Sequence, residues 1–79
     1  MSPMTENWTI VGPTLEHGID PETGDSFEYG MVCAFLLADG VEHAAGLTCS
    51  ADVARDPESY PNVVALLKEL AKDAVRGRF

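Results

Sequence analysis

The sequence predicts a single α+β domain in which a three-stranded antiparallel sheet is followed by one C-terminal helix packed on one face, in the order β-β-β-α. Two turn motifs separate three segments of strand-forming residues. In the last quarter of the chain, the apolar residues recur at the spacing of one face of an α-helix. A chain of 79 residues has room for one core. We expect one domain over residues 1–79, with a loose N-terminal arm over 1–7, a sheet over 8–50, a connector over 51–60 and a helix over 61–76.

The first predicted strand, over residues 8–18, is rich in β-forming residues but contains Gly12 and Pro13. Proline cannot donate a ladder hydrogen bond inside a sheet, so this strand is expected at an edge, bent at these two residues. Residues 20–25 then form a hairpin turn, because Pro21 presets the second turn position and Gly24 permits a positive φ.

The second and third predicted strands cover residues 27–38 and 41–50. They are separated by Asp39-Gly40, a typical dipeptide of a two-residue hairpin turn. The second strand is apolar on both of its faces, which places it in the middle of the sheet.

These turns predict a register between neighbouring strands. The expected cross-strand partners are Trp8 with Leu37, Val11 with Ala34, Leu15 with Gly30, His17 with Glu28, Ala38 with Val41, Leu36 with His43, Ala34 with Ala45 and Val32 with Leu47. Because Ala34 and Ala45 are small, we assign the helix to their face. The other face then holds Trp8, Ile10, Tyr29, Met31, Cys33, Phe35 and Leu37, with Glu16 and Glu42 at its margins.

The last segment has the apolar period of an amphipathic helix. Its stripe consists of Val63, Leu66, Leu67, Leu70, Ala74 and Val75. Ser59 is the predicted N-cap, Pro61 fits the first turn and Gly77 follows the last. One further helical turn is expected near residues 51–55.

Charge is divided unevenly along the chain. The first 54 residues carry nine carboxylates and no Lys or Arg, and the remaining 25 carry five basic and four acidic residues. Formal charges of −9 and +1 together give the net −8. Such a field disfavours nucleic acid and anionic membranes as partners and favours basic protein surfaces. We therefore predict no direct nucleic-acid or membrane binding.

The sequence lacks the residue patterns of membrane-spanning, secreted, metal-binding and enzymatic proteins. No apolar run approaches the roughly 20 residues of a membrane span, and no basic, apolar leader begins the chain, so we expect a cytoplasmic protein. Cys33 and Cys49 are expected to be reduced, and their spacing from His17 and His43 matches no metal site. No nucleophile motif or phosphate loop is present. We predict neither a cofactor nor enzymatic activity.

Two sets of residues are candidates for a binding surface. Seven carboxylates lie on or beside the two predicted hairpins: Glu16, Asp20, Glu22, Asp25, Glu28, Asp39 and Glu42. Apolar contacts or a homodimer interface are expected from Trp8, Tyr29, Phe35 and Leu37, because one helix cannot cover both sides of the sheet. The alternative for the carboxylates is that they serve only solubility.

Over its whole length the chain resembles the small acidic phage-encoded inhibitors of bacterial defence complexes, the anti-CRISPR proteins. The likeness consists of size, net charge, a short antiparallel sheet with a helix and the lack of an enzymatic motif. It implies an inhibitor in the host cytoplasm that binds a basic surface of a CRISPR effector and blocks access of nucleic acid. The alternative is a self-associating structural or accessory domain, such as a small phage protein.

Overall fold

The structure is a computed structural model that describes residues 7–77. Its elements are β1 (Asn7–Ile19), β2 (Ser26–Ala38), β3 (Val41–Cys49), α1 (Ala51–Arg55), a 3-10 turn (Pro57–Ser59) and α2 (Pro61–Arg76). The strands form one antiparallel sheet in the order β1-β2-β3. The predicted α+β fold is confirmed, with β2 central and β1 at an edge. The predicted N-terminal arm lies outside the described residues except for Asn7, which begins β1.

Both predicted turns are present. In the first, the Asp20 backbone N–H donates to the Asp25 carbonyl at 2.8 Å, and Gly24 has φ +75°. In the second, Asp39 and Gly40 have φ of +52° and +76°. Two successive positive φ values are those of a type I′ turn, whose twist matches that of the flanking strands. The register between β2 and β3 is therefore the predicted one throughout.

The register between β1 and β2 changes at a bulge. From Thr14 to the first turn it is the predicted one, with His17 opposite Glu28. Between Val11 and Thr14 the register shifts, where Gly12-Pro13 adopts a cis peptide bond and Gly12 has φ +112°. The bend predicted at this dipeptide is found as a bulge in the pairing of β1 with β2, and the sequence did not predict the resulting change of register.

Beyond the bulge the predicted pairs are wrong by one residue. Trp8 lies opposite Leu36 instead of Leu37, and Val11 lies opposite Cys33 instead of Ala34. A shift of one residue moves every side chain of a strand segment to the other face. Trp8 and Ile10 therefore lie on the helix-covered face, and Val11 lies on the opposite one.

The core lies between the sheet and α2. It consists of Val32, Ala34, Leu36, Ala45, Ala71 and Val75, with Trp8 and Ile10 among the partly buried residues packed against it. The small residues on β2 and β3 let the helix approach closely, as predicted. Lys72 Nζ and the Arg76 guanidinium lie 5.9 and 5.5 Å from the centre of the Trp8 ring, which is cation–π distance.

The connector differs from the prediction at one residue. Residues 51–55 form the expected short helix, but Ser59 ends the 3-10 turn and is not the N-cap of α2. Its hydroxyl donates to the Asp56 carboxylate instead, and Tyr60 precedes the helix. The prediction of Ser59 was wrong because the 3-10 turn, closed by the bond from Tyr60 N–H to the Pro57 carbonyl, moves the helix start onward.

Replacing Gly12 by alanine should destabilise the fold by about 2 kcal/mol or more. Its φ is positive, and an added Cβ would lie 2.4 Å from the Met31 carbonyl oxygen. The control is Gly46→Ala, where the nearest atom would be at an ordinary 3.6 Å. Urea unfolding measures both, and equal midpoints for the two variants would contradict the bulge geometry.

Candidate protein-binding face

One face of the sheet is covered by α1 and α2, and we call the other the open face. No helix or strand within residues 7–77 packs on it. The alternation of β2 and the pairing of its neighbours assign to it Val11, Phe27, Tyr29, Met31, Cys33, Phe35, Leu37, Ala44 and Thr48. Side chains along its centre are half-buried between their neighbours, whereas Val11, Phe27 and Leu37 are exposed. The open face is therefore a continuous apolar stripe along β2.

Among the described residues, two carboxylates are the charged groups of the open face. Glu16 lies opposite Tyr29, near the first turn, and Glu42 lies opposite Leu37, near the second. Both lie at the margins of the apolar stripe, as predicted. Every described Lys and Arg lies in α1 or α2, on the far side of the sheet.

Three acidic residues lie in the β1–β2 turn, beside the Glu16 end of the open face. Asp20 has a structural role, because its Oδ1 accepts a hydrogen bond from the Glu22 backbone N–H at 2.9 Å. Glu22 and Asp25 are exposed. The first turn thus presents carboxylates to solvent from a backbone held by its own hydrogen bonds.

The remaining predicted acids lie elsewhere. Glu28 is on the helix-covered side, where it forms an ion pair with Arg55 of α1. Both side chains are substantially exposed, so this pair contributes at most about 1 kcal/mol. Asp39 lies in the second turn, at the far end of the 13-residue β2, about 40 Å away along the strand. The seven predicted acids therefore do not form one surface.

The predicted apolar residues are also divided. Tyr29, Phe35 and Leu37 lie on the open face, but Trp8 lies under Lys72 and Arg76 on the other side. The prediction of Trp8 as a residue of the open face was wrong because the bulge exchanges the faces of the first half of β1.

Phe27 belongs to this face but was not among the predicted binding residues. It is half exposed, and its ring lies where a side chain on Gly18 would be, since a Cβ there would come within 2.5 Å of the ring. Its ring centre is 5.8 Å from that of Tyr29. The signal in the sequence was its position two residues before Tyr29, on the same face of the strand.

An open depression lies at this end of the open face. It has a volume of about 410 Å³ and is lined by Gly18, Ile19, Phe27, Tyr29, Met31 and Thr48. The lining is mainly apolar and aromatic. Glu16 lies opposite the lining residue Tyr29, and the acidic first turn directly follows the lining residues Gly18 and Ile19 along the chain. The margin of this apolar hollow is therefore close to carboxylates.

The two cysteines lie on opposite faces and are not bonded to each other. Cys49 packs on the covered side, where its Sγ and the Ala54 Cβ occupy the space beside Gly30. Burial raises the pKa of the Cys49 thiol, which disfavours the nucleophilic thiolate. Within residues 7–77, no three His, Cys, Asp or Glu side chains are close enough to hold a metal ion.

Comparison with known proteins finds no matching family model, no similar curated sequence and no similar solved structure. None of the helices within residues 7–77 is long and apolar enough to cross a bilayer.

The rate of Cys49 alkylation should reach half of its maximum at a higher pH in the folded protein than in urea. The raised pKa means that the folded state retains the thiol proton longer. The protonated Cys49 thiol therefore stabilises the folded state fully at pH values below the pKa of this thiol in the unfolded chain. This stabilisation is lost as the pH rises through the pKa of the thiol in the folded protein. Pulsed iodoacetamide labelling, with the Cys49 peptide quantified by mass spectrometry, measures both midpoints. A folded midpoint at or below the midpoint in urea contradicts this environment.

Proposed function

We propose that this chain is a non-enzymatic acidic binding protein that docks on a basic, nucleic-acid-binding surface of a protein complex. It acts in the cytoplasm as an inhibitor that competes with nucleic acid, in the manner of an anti-CRISPR protein. One observation carries the proposal: an apolar hollow with carboxylates near its margin lies on a sheet face that has no Lys or Arg among the described residues.

Charge supports this kind of partner. A net charge of −8 repels nucleic acid and other acidic proteins and attracts a cationic surface. Charge complementarity mainly accelerates encounter and selects the partner, whereas the buried apolar contacts slow dissociation. The hollow would supply the buried apolar contacts, and the carboxylates near its margin would supply the charge complementarity.

The shape of the hollow specifies the partner further. It can take an apolar side chain or the aliphatic stem of a Lys or Arg, whose charged end would reach Glu16 or the first turn. The rings of Phe27 and Tyr29 offer faces for cation–π contact. Basic residues with apolar stems or neighbours are the common content of a groove that binds nucleic-acid phosphates.

The second candidate is a self-associating structural or accessory domain whose acidity serves only solubility. It is favoured by the middle of the open face, where Met31, Cys33 and Phe35 form an apolar stripe between the two acidic ends. If this stripe is the main interface, Phe35→Glu should abolish self-association and charge reversal at the first turn should have no effect.

The double variant Glu22→Lys/Asp25→Lys should lose at least tenfold in affinity for the partner, because attraction at the margin of the hollow becomes repulsion. Asp20 is kept because it holds the turn. Immobilised protein is exposed at low salt to an extract of the cells that naturally produce it. Proteins eluted by salt are identified and tested for nucleic-acid binding, and competition by the wild-type chain is then measured.

The matched control is Glu58→Lys/Glu69→Lys, which changes the net charge equally but acts on the 3-10 turn and α2. This control should still capture the partner. Equal capture by both double variants, insensitivity to salt or the lack of any nucleic-acid-binding partner in the eluate contradicts the proposed function.

A further inference from the structure

The third strand has one pairing partner. In the sheet order β1-β2-β3, β3 pairs with β2 alone, so its outer edge is open within residues 7–77. Residues that flank a two-residue hairpin loop bond each other, so the alternate residues direct their backbone groups outward. On β3 these are Glu42, Ala44, Gly46 and Thr48.

The two sheet edges differ in how well they are protected. The β1 edge is interrupted by the bulge at Gly12-Pro13, and bulges and prolines prevent pairing with another strand. The nine residues of β3 include no proline, lysine or arginine and no bulge in their pairing with β2. β3 is therefore the edge on which a further strand can add.

An exposed apolar strip on α2 accompanies this edge. Val63, Leu66 and Leu70 are 41%, 60% and 45% exposed, although they lie in the predicted apolar stripe of the helix. Val63 is nine residues before Lys72, or about two and a half helical turns, so the two side chains lie on opposite sides of the helix. Lys72 lies over Trp8, on the β1 side, so the strip lies on the flank of α2 toward the β3 edge.

We propose that a second copy of this chain occupies both features, through antiparallel β3–β3 pairing and contact between the two α2 strips about one two-fold axis. Both α2 helices would then lie on the same side of a six-stranded sheet. Because α2 contacts both β2 and β3, its axis lies above a line midway between these two strands. Neighbouring strands lie about 4.8 Å apart, and the two-fold axis passes midway between the two β3 strands. The α2 axis is therefore about 5 Å from the two-fold axis. The two helices would lie about 10 Å apart, which is a packing distance of helices.

The charges at this edge suit contact between two acidic copies. When the two Ala45 residues face each other across the two-fold axis, Glu42 lies opposite Thr48 of the second copy. No carboxylate then faces another carboxylate across the two β3 strands. The α2 strip itself is uncharged. Asp73, seven residues after Leu66 on the same flank of the helix, is paired with Arg76 of its own chain. The net negative charge that opposes association therefore lies mainly on the rest of each copy, and salt should strengthen this dimer by screening it. Salt has the opposite effect on the proposed docking to a basic partner, so the two proposals can fail independently.

Sedimentation equilibrium from 1 to 100 μM tests the dimer. The wild-type chain should reach twice its 8.5 kDa mass, more readily as salt rises. Leu66→Lys should weaken association by roughly tenfold or more, because it places an unpaired ammonium in the helix contact. Ala65→Lys, the neighbouring exposed residue on the Lys72 flank, is its control and should dimerise as wild type.

Backbone pairing is tested separately at Ala44. Ala44→Pro removes one outward N–H and should also weaken association, whereas Ala44→Thr keeps that donor and should not. Circular dichroism checks that each variant is folded. A monomer at 100 μM in high salt overturns the proposal. So does a dimer that Leu66→Lys and Ala44→Pro leave intact but Phe35→Glu dissociates, which would place the interface on the open face.

Discussion

A single layer of helices can cover only one face of a sheet, and the surfaces of this protein follow from that constraint. The buried methyl groups of Ala34, Ala45 and Ala71 bring α2 close to β2 and β3, and this contact buries one face. α1 packs beside it over β1 and β2. The opposite face and the β3 edge are left without a covering element in residues 7–77. The open face and the β3 edge are therefore the sheet surfaces that a partner can reach.

Gly12-Pro13 determines which residues of β1 are among those exposed. The extra residue at the bulge turns Trp8 and Ile10 toward α2, where the Trp8 ring closes the core under Lys72 and Arg76. Two of the five basic residues are thereby held over the covered face. The same bulge interrupts the β1 edge. One local feature thus contributes to the core, to the separation of charge and to the difference between the two sheet edges.

Most of the fold could be predicted because its turns are specified locally. Asp39-Gly40 fixes the register of β2 and β3, and residues 20–25 fix that of β1 as far as Thr14. The first half of β1 could not be placed, because a bend at Gly12-Pro13 does not reveal whether a residue is inserted. The placement of the acidic residues was predicted only in part. Glu28 is opposite His17 as expected, but the contact with Arg55 depends on where α1 packs, which strand alternation does not specify.

Neighbouring side chains of β1 and β2 offer the most direct test of this arrangement. A soluble gadolinium chelate broadens the NMR signals of methyl groups that it can approach. The structure predicts strong broadening for Val11 and Leu37 on the open face and weak broadening for Ile10 and Leu36 on the covered face. Strong broadening of Ile10 with protection of Val11 would contradict the bulge. Protection of both Val11 and Leu37 in dilute protein would contradict an open face.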